Sequence, residues 1–244
     1  MMSDPNGACT PVPPLAAKGS QRWLQLAVNR RPELLDEPLR ASMRLPANVE
    51  VEWLSPLAGE NYVEYRDGAT YDRLGLQLRR PSLDFWPASG PMWDGLARLS
   101  TGDVLLIEAK AHIQEMVSTG TRASEPARTR IVESLRAVQR VLAPRADVDW
   151  AGTFYQYANR LAHLHFLRED NGVPAHLVFI YFLNAEDVGG PSERAEWIGA
   201  IKVVEGYLGL GRHRLGRYVH KIFVDARELS GGHPASASPS PIHS

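Results

Sequence analysis

Cysteine, long apolar runs and net charge are all scarce in this sequence. The single cysteine, Cys9, excludes an internal disulfide framework and a thiolate zinc site. No run of about eighteen apolar residues is present, so no helix is expected to span a membrane. The opening residues MMSDPNGACTPVPP lack the basic and apolar regions of a secretory signal, which predicts a cytoplasmic protein. The formal net charge of −1 leaves only local patches to indicate a polyanionic partner.

The two ends differ in composition from the rest of the chain. Residues 1–20 are rich in Pro, Gly, Ala and Ser and are predicted to form a flexible leader. Residues 230–244, SGGHPASASPSPIHS, have the same character and are predicted to form a disordered tail. Between them we find no internal repeat and no linker, and the 44% hydrophobic content is that of a globular protein. We therefore predict a single domain over residues 21–229.

Helical and strand periodicities alternate along this domain. Helices are predicted over residues 21–29, 59–76, 126–142, 151–169 and 192–208. Strands are predicted over residues 49–54, 92–99, 104–109, 176–183 and 218–224. The strand HLVFIYFL (176–183) is almost wholly apolar, as expected of a central strand that is covered on both faces. This alternation indicates an α/β fold.

The most informative segment is PMWDGLARLSTGDVLLIEAKAHIQEM, residues 91–116. If residues 100–102 form a three-residue hairpin loop, the register places Asp94 opposite Glu108. Opposed side chains lie about 4.5–5.5 Å apart at Cβ, where two like charges repel each other. Lys110 follows two residues after Glu108 and therefore shares its face. The apolar run before Glu108 predicts a largely buried strand with a charged end.

Two carboxylates and a lysine in this arrangement suit a divalent cation. Asp94 and Glu108, together with water, supply the oxygen ligands that Mg²⁺ or Mn²⁺ prefers. Such an ion polarises a phosphoryl oxygen and lowers the pKa of a bound water. Lys110 would position that water or stabilise charge in the transition state. The structural alternative is an ordinary ion pair between Lys110 and a carboxylate at the end of the strand.

These residues resemble a known family. The tripeptide WDG (93–95), followed after a hairpin by LLIEAK (105–110), resembles the PD-(D/E)XK nuclease superfamily, which includes restriction endonucleases, Holliday-junction resolvases and repair nucleases. Trp93 stands before Asp94, at a position that varies within the superfamily. The resemblance covers about residues 49–183. It implies a restriction-endonuclease-like core, a central mixed β-sheet flanked by helices, and catalysis by Asp94, Glu108 and Lys110 with Mg²⁺ or Mn²⁺.

The resemblance also implies an acidic residue from the helix before the hairpin. Glu60 and Glu64 are the candidates, because their spacing places both on one face of the predicted helix. Glu64 is preferred because it lies deeper in that helix, whereas Asp67 and Asp72 are weaker choices. The alternative is that either glutamate belongs to a solvated helix face.

A polar residue on the helix after the lysine strand is a further feature of the family. Gln156 has Arg160 four residues later, on a helix that is otherwise apolar on that side. A buried Gln156 would need partners, and it would hydrogen-bond Lys110 or a phosphate. Gln114 competes for this role, and the alternative is a glutamine that is satisfied on the flank of the helix.

Two local clusters of basic residues follow the hairpin. The first comprises Arg122, Arg128, Arg130, Arg136, Arg140 and Arg145, and the second comprises Arg212, His213, Arg214, Arg217, His220 and Lys221. Such patches are typical of a surface that binds a polyanion, and equally of solvated helix faces.

The resemblance implies a metal-dependent nuclease that hydrolyses phosphodiester bonds in DNA. Nuclease domains of this size often act as dimers, so a homodimer is one option for the assembly, and no membrane partner is expected. The alternative is a non-catalytic nuclease-fold module that binds nucleic acid or a protein. The presence of Asp94, Glu108 and Lys110 together favours the enzyme.

Overall fold

A computed structural model describes residues 15–230, in which five strands form one mixed sheet with helices on both faces. The strands are β1 (Val51–Ser55), β2 (Gly95–Leu99), β3 (Val104–Lys110), β4 (Ala175–Leu183) and β5 (Val219–Asp225). The helices are α1 (Gly19–Arg30), α2 (Glu33–Met43), α3 (Asp67–Arg73), α4 (Ser82–Phe85), α5 (Ala127–Leu142), α6 (Tyr155–His165), α7 (Arg194–Tyr207) and α8 (Arg227–Ser230). The predicted α/β fold with a central mixed sheet flanked by helices is therefore confirmed.

The sheet follows chain order from β1 to β5. β1, β2 and β3 pair antiparallel, whereas β3, β4 and β5 pair parallel. Parallel neighbours need crossover connections, and α5 with α6 and then α7 supply them. In the β2–β3 hairpin Gly95 pairs with Ile107, and the Leu99 N–H donates to the Asp103 carbonyl at 2.8 Å. The register predicted for this hairpin is thus confirmed.

Alternation along β3 separates two apolar layers. Leu105 and Ile107 belong to the layer that includes α1 and α2, whereas Leu106 belongs to the layer that includes α5, α6 and α7. Successive side chains point to opposite faces of a strand. Glu108 and Lys110 consequently share the face of Leu106 and project toward the α6 side of the sheet.

The single helix predicted over residues 59–76 is wrong. A short 3₁₀ turn over Ala58–Glu60 ends at Asn61, which has a left-handed backbone. Tyr62 also has a left-handed backbone, and three residues later the Tyr65 carbonyl accepts the Trp93 N–H at 3.0 Å. This pairing with the approach to β2 replaces helical hydrogen bonding, so that the helix is confined to α3.

Other boundaries also differ from the sequence prediction. Helix α2 was not predicted, and Pro38 lies inside it. The helix predicted over residues 151–169 is divided into α6 and a π-helical turn, Phe166–Asp170.

The structure describes only the last part of the predicted leader. Within residues 15–20, Ala16 is buried and its N–H donates to Gln25 Oε1 at 2.7 Å, and α1 begins at Gly19. This part of the leader packs against the domain. The rest of the predicted leader and the predicted tail beyond Ser230 lie outside the described residues. Between residues 15 and 230 the structure contains no helix with the length and apolarity needed to cross a membrane.

Candidate active site

The predicted catalytic triplet converges on one cleft of about 340 Å³. Asp94 contributes from the residue before β2, and Glu108 and Lys110 contribute from the carboxyl end of β3. Gln156 and Arg160 of α6 line the same cleft. The crossover that makes β3 and β4 parallel brings α6 to this end of the sheet, opposite the hairpin carboxylates.

A positively charged side chain contacts each carboxylate oxygen of Glu108. It is only 2% exposed. Lys110 Nζ lies 2.5 Å from Oε1, and Arg160 Nε lies 2.5 Å from Oε2. Arg160 also donates to the Met92 carbonyl at 2.8 Å, and its guanidinium lies 4.7 Å from the centroid of the Trp93 ring. Because a buried carboxylate is costly without partners, this pairing explains how Glu108 is tolerated inside the protein.

Asp94 is held against β3 by backbone contacts. The Ala109 N–H donates to Asp94 Oδ2 at 2.7 Å. At the next residue, Gly95, a Cβ atom would lie 3.1 Å from the Ser55 carbonyl oxygen and 3.3 Å from Ile107 Cβ. Glycine therefore permits β1, β2 and β3 to approach closely at the point where the Asp94 carboxyl enters the cleft.

The environment of the cleft shifts the pKa values of Asp94 and Glu108 in opposite directions. Burial raises the pKa of Asp94 to about 8, with repulsion from Glu108 adding to the effect and Lys110 opposing it. Burial also acts to raise the pKa of Glu108, but the charges of Arg160 and Lys110 outweigh it and the net shift is downward. Burial acts to lower the pKa of Lys110, yet Glu108 and Asp94 raise it overall. The cleft thus favours the charged form of Glu108, which is paired, and the neutral form of Asp94.

Of the two glutamates proposed to complete the site, the structure brings Glu64 near the triplet and leaves Glu60 away from it. Gln21 Nε2 donates to Glu64 Oε1 at 2.9 Å. Burial raises the pKa of Glu64, and repulsion from Glu108 contributes. Glu60 instead accepts hydrogen bonds from Arg73 at 2.7 Å and from the Tyr65 hydroxyl at 3.2 Å. Because no helix carries both residues, they do not share the face that the sequence predicted.

The buried polar residues of α6 are Asn159, Arg160 and His163, and of these Arg160 contacts Glu108; Gln156 is not buried. Gln156 is exposed and lines the cleft beside Lys110, while its backbone N–H donates to Ser118 Oγ at 3.2 Å. Of the two alternatives kept open for Gln156, the structure shows the flank of the helix and not burial, because this first turn of α6 faces the opening. Sequence reasoning noted Arg160 only as a neighbour of Gln156, although an arginine in a largely apolar helix signals a buried partner. Gln114 is exposed in a 3₁₀ turn, Ile113–Met116.

A wider groove of about 690 Å³ opens beside the cleft and shares Lys110 and Gln156 with it. Its wall includes residues 117–120, Tyr155 and Arg122. Arg122 is thus the member of the first basic cluster that the structure places next to the triplet.

The donor set fits a metal ion only in part. Among residues 15–230 there is no group of three or more His, Cys, Asp or Glu side chains placed to hold a metal ion. Mg²⁺, however, is commonly held through one or two carboxylates, with water and substrate phosphates completing its octahedron. Asp94 and Glu108 satisfy that smaller requirement, provided that Glu108 yields one of its oxygens.

Comparisons of this chain with protein-family models, with curated proteins and with solved structures found no match.

Proposed function

We propose that this protein is a metal-dependent nuclease with a restriction-endonuclease-like core that hydrolyses phosphodiester bonds in DNA. The observation that supports the proposal is the convergence of Asp94, Glu108 and Lys110 on one cleft. The resemblance of the hairpin to the PD-(D/E)XK superfamily assigns the same three residues. Two carboxylates with a lysine are a donor set suited to phosphoryl chemistry, whereas an ion pair that only stabilises the fold would not need Asp94.

The side chains take different roles in this proposal. Asp94 and Glu108 would hold Mg²⁺ or Mn²⁺, which when bound supplies Lewis-acid activation of the phosphoryl group and of water. Lys110 stays protonated and stabilises the negative charge that develops on the phosphoryl oxygens. Gln156 and Arg122 line the approach and would contact the neighbouring phosphates of the substrate.

One observation favours a second candidate, a non-catalytic nuclease-fold module that binds nucleic acid or a protein. Arg160 contacts Glu108 at Oε2, an oxygen that a metal ion would use, and Lys110 contacts the other oxygen. The carboxylate is therefore already neutralised by the protein itself, so the fold needs no ion to stabilise it.

A plasmid-nicking assay separates the two candidates. The wild-type protein is expected to nick supercoiled DNA with Mg²⁺ or Mn²⁺ and to be inactive in EDTA. Lys110→Ala is expected to lose this activity, whereas Lys202→Ala, which alters an exposed lysine of α7, is expected to retain it. DNA binding without metal-dependent nicking by the wild type would favour the non-catalytic module. Nicking that survives Lys110→Ala would contradict the assigned site.

A further inference from the structure

A second cavity, of about 650 Å³, lies beside β5 and is lined mainly by basic side chains. We call it the basic cavity, and its cationic residues are Arg212, His213, Arg214, Arg217 and Lys221. They come from the loop between α7 and β5 and from β5 itself. Among the described residues that line the cavity, Glu205 of α7 alone is acidic.

Strand β5 places the members of the second basic cluster on two different faces of the sheet. His220 is buried, and its ring contacts His176 of β4 and Ser42 of α2. Lys221 follows it on the opposite face, because side chains alternate along β5. The remaining five basic residues therefore gather on one side of the sheet.

The charges of the basic cavity are only partly neutralised from within. Glu205 Oε1 accepts from Lys221 Nζ at 2.5 Å and from the Tyr157 hydroxyl at 2.7 Å. Arg214 pairs with Glu169 at 3.4 Å. Arg212 and Arg217 are exposed and form no salt bridge within residues 15–230.

One polar atom in the lining is buried and unpaired. His213 Nδ1 has no hydrogen-bond partner among the described residues. A buried nitrogen of this kind is costly unless a water or a ligand satisfies it. Arg212 and Arg217, which are exposed and have no carboxylate partner among the described residues, are groups that can bind phosphate oxygens.

The sheet register fixes the position of the basic cavity relative to the catalytic triplet. Glu108 pairs with Phe179, and Phe179 pairs with Lys221. The three side chains share one face, and two strand spacings separate Glu108 from Lys221 by roughly 10 Å at the backbone. Tyr157 stacks on Phe179 between them, with ring centroids 4.6 Å apart, and also lines the basic cavity.

We propose that the basic cavity is a phosphate-binding site that holds the backbone of the nucleic acid as it leaves the cleft. The chemistry recognised is that of phosphate oxygens. The choice of a nucleic-acid backbone over a free phosphate compound rests on the proposed function, because the cavity lies on the same sheet face as the triplet. A bound strand would span both sites and would contact Arg212 and Arg217 through phosphates alone.

Anisotropy of a labelled DNA duplex, measured on the full chain in EDTA, tests this site without cleavage. The variant Arg212→Gln/Arg217→Gln is expected to bind DNA about tenfold more weakly at low salt, and equally so for two unrelated sequences. A plot of log affinity against log salt concentration has a negative slope, and the magnitude of this slope is expected to decrease by about two, one for each lost phosphate contact. The matched control Arg136→Gln/Arg140→Gln, on exposed positions of α5, is expected to bind as the wild type does.

The remaining outcomes decide between the sources of phosphate and between the two proposals. Equal losses in both double variants, or no DNA binding by the wild type, would overturn the inference. The inference would also be overturned if inorganic phosphate or a nucleoside monophosphate bound the wild type and not the Arg212→Gln/Arg217→Gln variant, while both proteins bound DNA with the same affinity. If the variant loses DNA affinity and the wild type never nicks DNA, the cavity is supported and the catalytic proposal fails. If the wild type nicks DNA and the variant binds it normally, the cavity alone fails.

Discussion

Arg160 Nε lies 2.5 Å from Glu108 Oε2, on the opposite side of the carboxylate from Lys110. This guanidinium keeps the carboxylate ionised in the metal-free protein, and it also occupies an oxygen that a metal ion would need. The same contact therefore stabilises the fold and competes with the proposed ligand. Its strength decides how readily Glu108 can bind a metal ion.

Replacing Arg160 by methionine is expected to separate these two effects. The change leaves a buried carboxylate with one cation fewer, so the free energy of unfolding in EDTA should fall by about 3–5 kcal/mol. Mg²⁺ should then raise the Tm of Arg160→Met more than that of the wild type, because Oε2 is released. Thermal unfolding with and without Mg²⁺ measures both quantities.

Arg136→Met, on the exposed face of α5, is the matched control and should change stability by no more than about 0.5 kcal/mol. An equal Mg²⁺-dependent gain in Tm for Arg160→Met and the wild type would show that the guanidinium does not compete with the ion.

The Asp94 carboxyl is expected to bind the metal without being needed for folding. Asn at this position can still accept the Ala109 N–H through its amide oxygen, and it is neutral, the form that the cleft favours for Asp94. Asp94→Asn should therefore unfold at the wild-type temperature or above it in EDTA. It should lose the Tm gain that millimolar Mg²⁺ or Mn²⁺ gives the wild type by mass action. A metal-dependent gain that survives in this variant would remove Asp94 from the ligand set.

The hairpin was predictable from sequence because its determinants are local. A turn-forming loop and strict alternation fix the register, and that register places Asp94 and Glu108 together on one face. The preference for Glu64 over Glu60 rested on a helix that the structure does not contain. The pairing of Tyr65 with Trp93 replaces that helical pattern by a non-helical segment. Helical periodicity in the tyrosine-rich stretch was outweighed by a tertiary contact.

Arg160 illustrates a second limit of sequence reasoning. Its partner Glu108 lies 52 residues earlier in the chain, and only the parallel pairing of β3 with β4 brings α6 over the hairpin. The division of the second basic cluster follows from burial on both faces of the sheet, since β5 is flanked by α2 on one side and by the basic cavity on the other. A count of basic residues contains no such information.

A chain of polar contacts at the other end of the sheet is expected to make stability depend on pH. Asp103 Oδ1 lies 3.3 Å from His176 Nε2, His176 Nδ1 lies 3.0 Å from His220 Nε2, and His220 Nδ1 lies 3.2 Å from Ser42 Oγ. The carboxylate favours a proton on His176 Nε2, so that each imidazole in turn donates toward Asp103. Protonation of His176 at Nδ1 would place this N–H opposite the N–H of His220 Nε2, whereas the proton that charges His220 would sit on Nδ1 and face Ser42 Oγ.

Burial lowers the pKa of His220 from 6.5 to about 4, and repulsion from His176 adds to the effect. A depressed pKa in the folded state means that the stabilisation is present above pH 6.5 and is lost as the pH falls through about 4. We expect His220 to contribute a loss of roughly 3 kcal/mol over this window, measured as the difference between urea unfolding of the wild type and of His220→Asn. The loss should be smaller by this amount in His220→Asn and should persist in Ser42→Ala, which keeps both rings. Equal pH profiles for the wild type and His220→Asn would contradict this account.

In the proposed nuclease, substitutions of Lys110 and of Glu108 are expected to affect metal binding and turnover differently. An ammonium group cannot ligate a cation and mildly repels it, so Lys110→Ala should bind Mn²⁺ at least as well as the wild type. Its loss removes stabilisation made chiefly in the transition state, and one such electrostatic group is worth roughly 10²–10³ in rate. Glu108→Gln should instead lose Mn²⁺ binding and cleavage together, because the amide is a poor ligand and leaves Arg160 and Lys110 without their carboxylate. Calorimetric Mn²⁺ titration beside single-turnover cleavage measures both properties in each variant. Loss of Mn²⁺ binding in Lys110→Ala would contradict the role assigned to Lys110. Cleavage at the wild-type rate by Glu108→Gln would contradict the role assigned to Glu108.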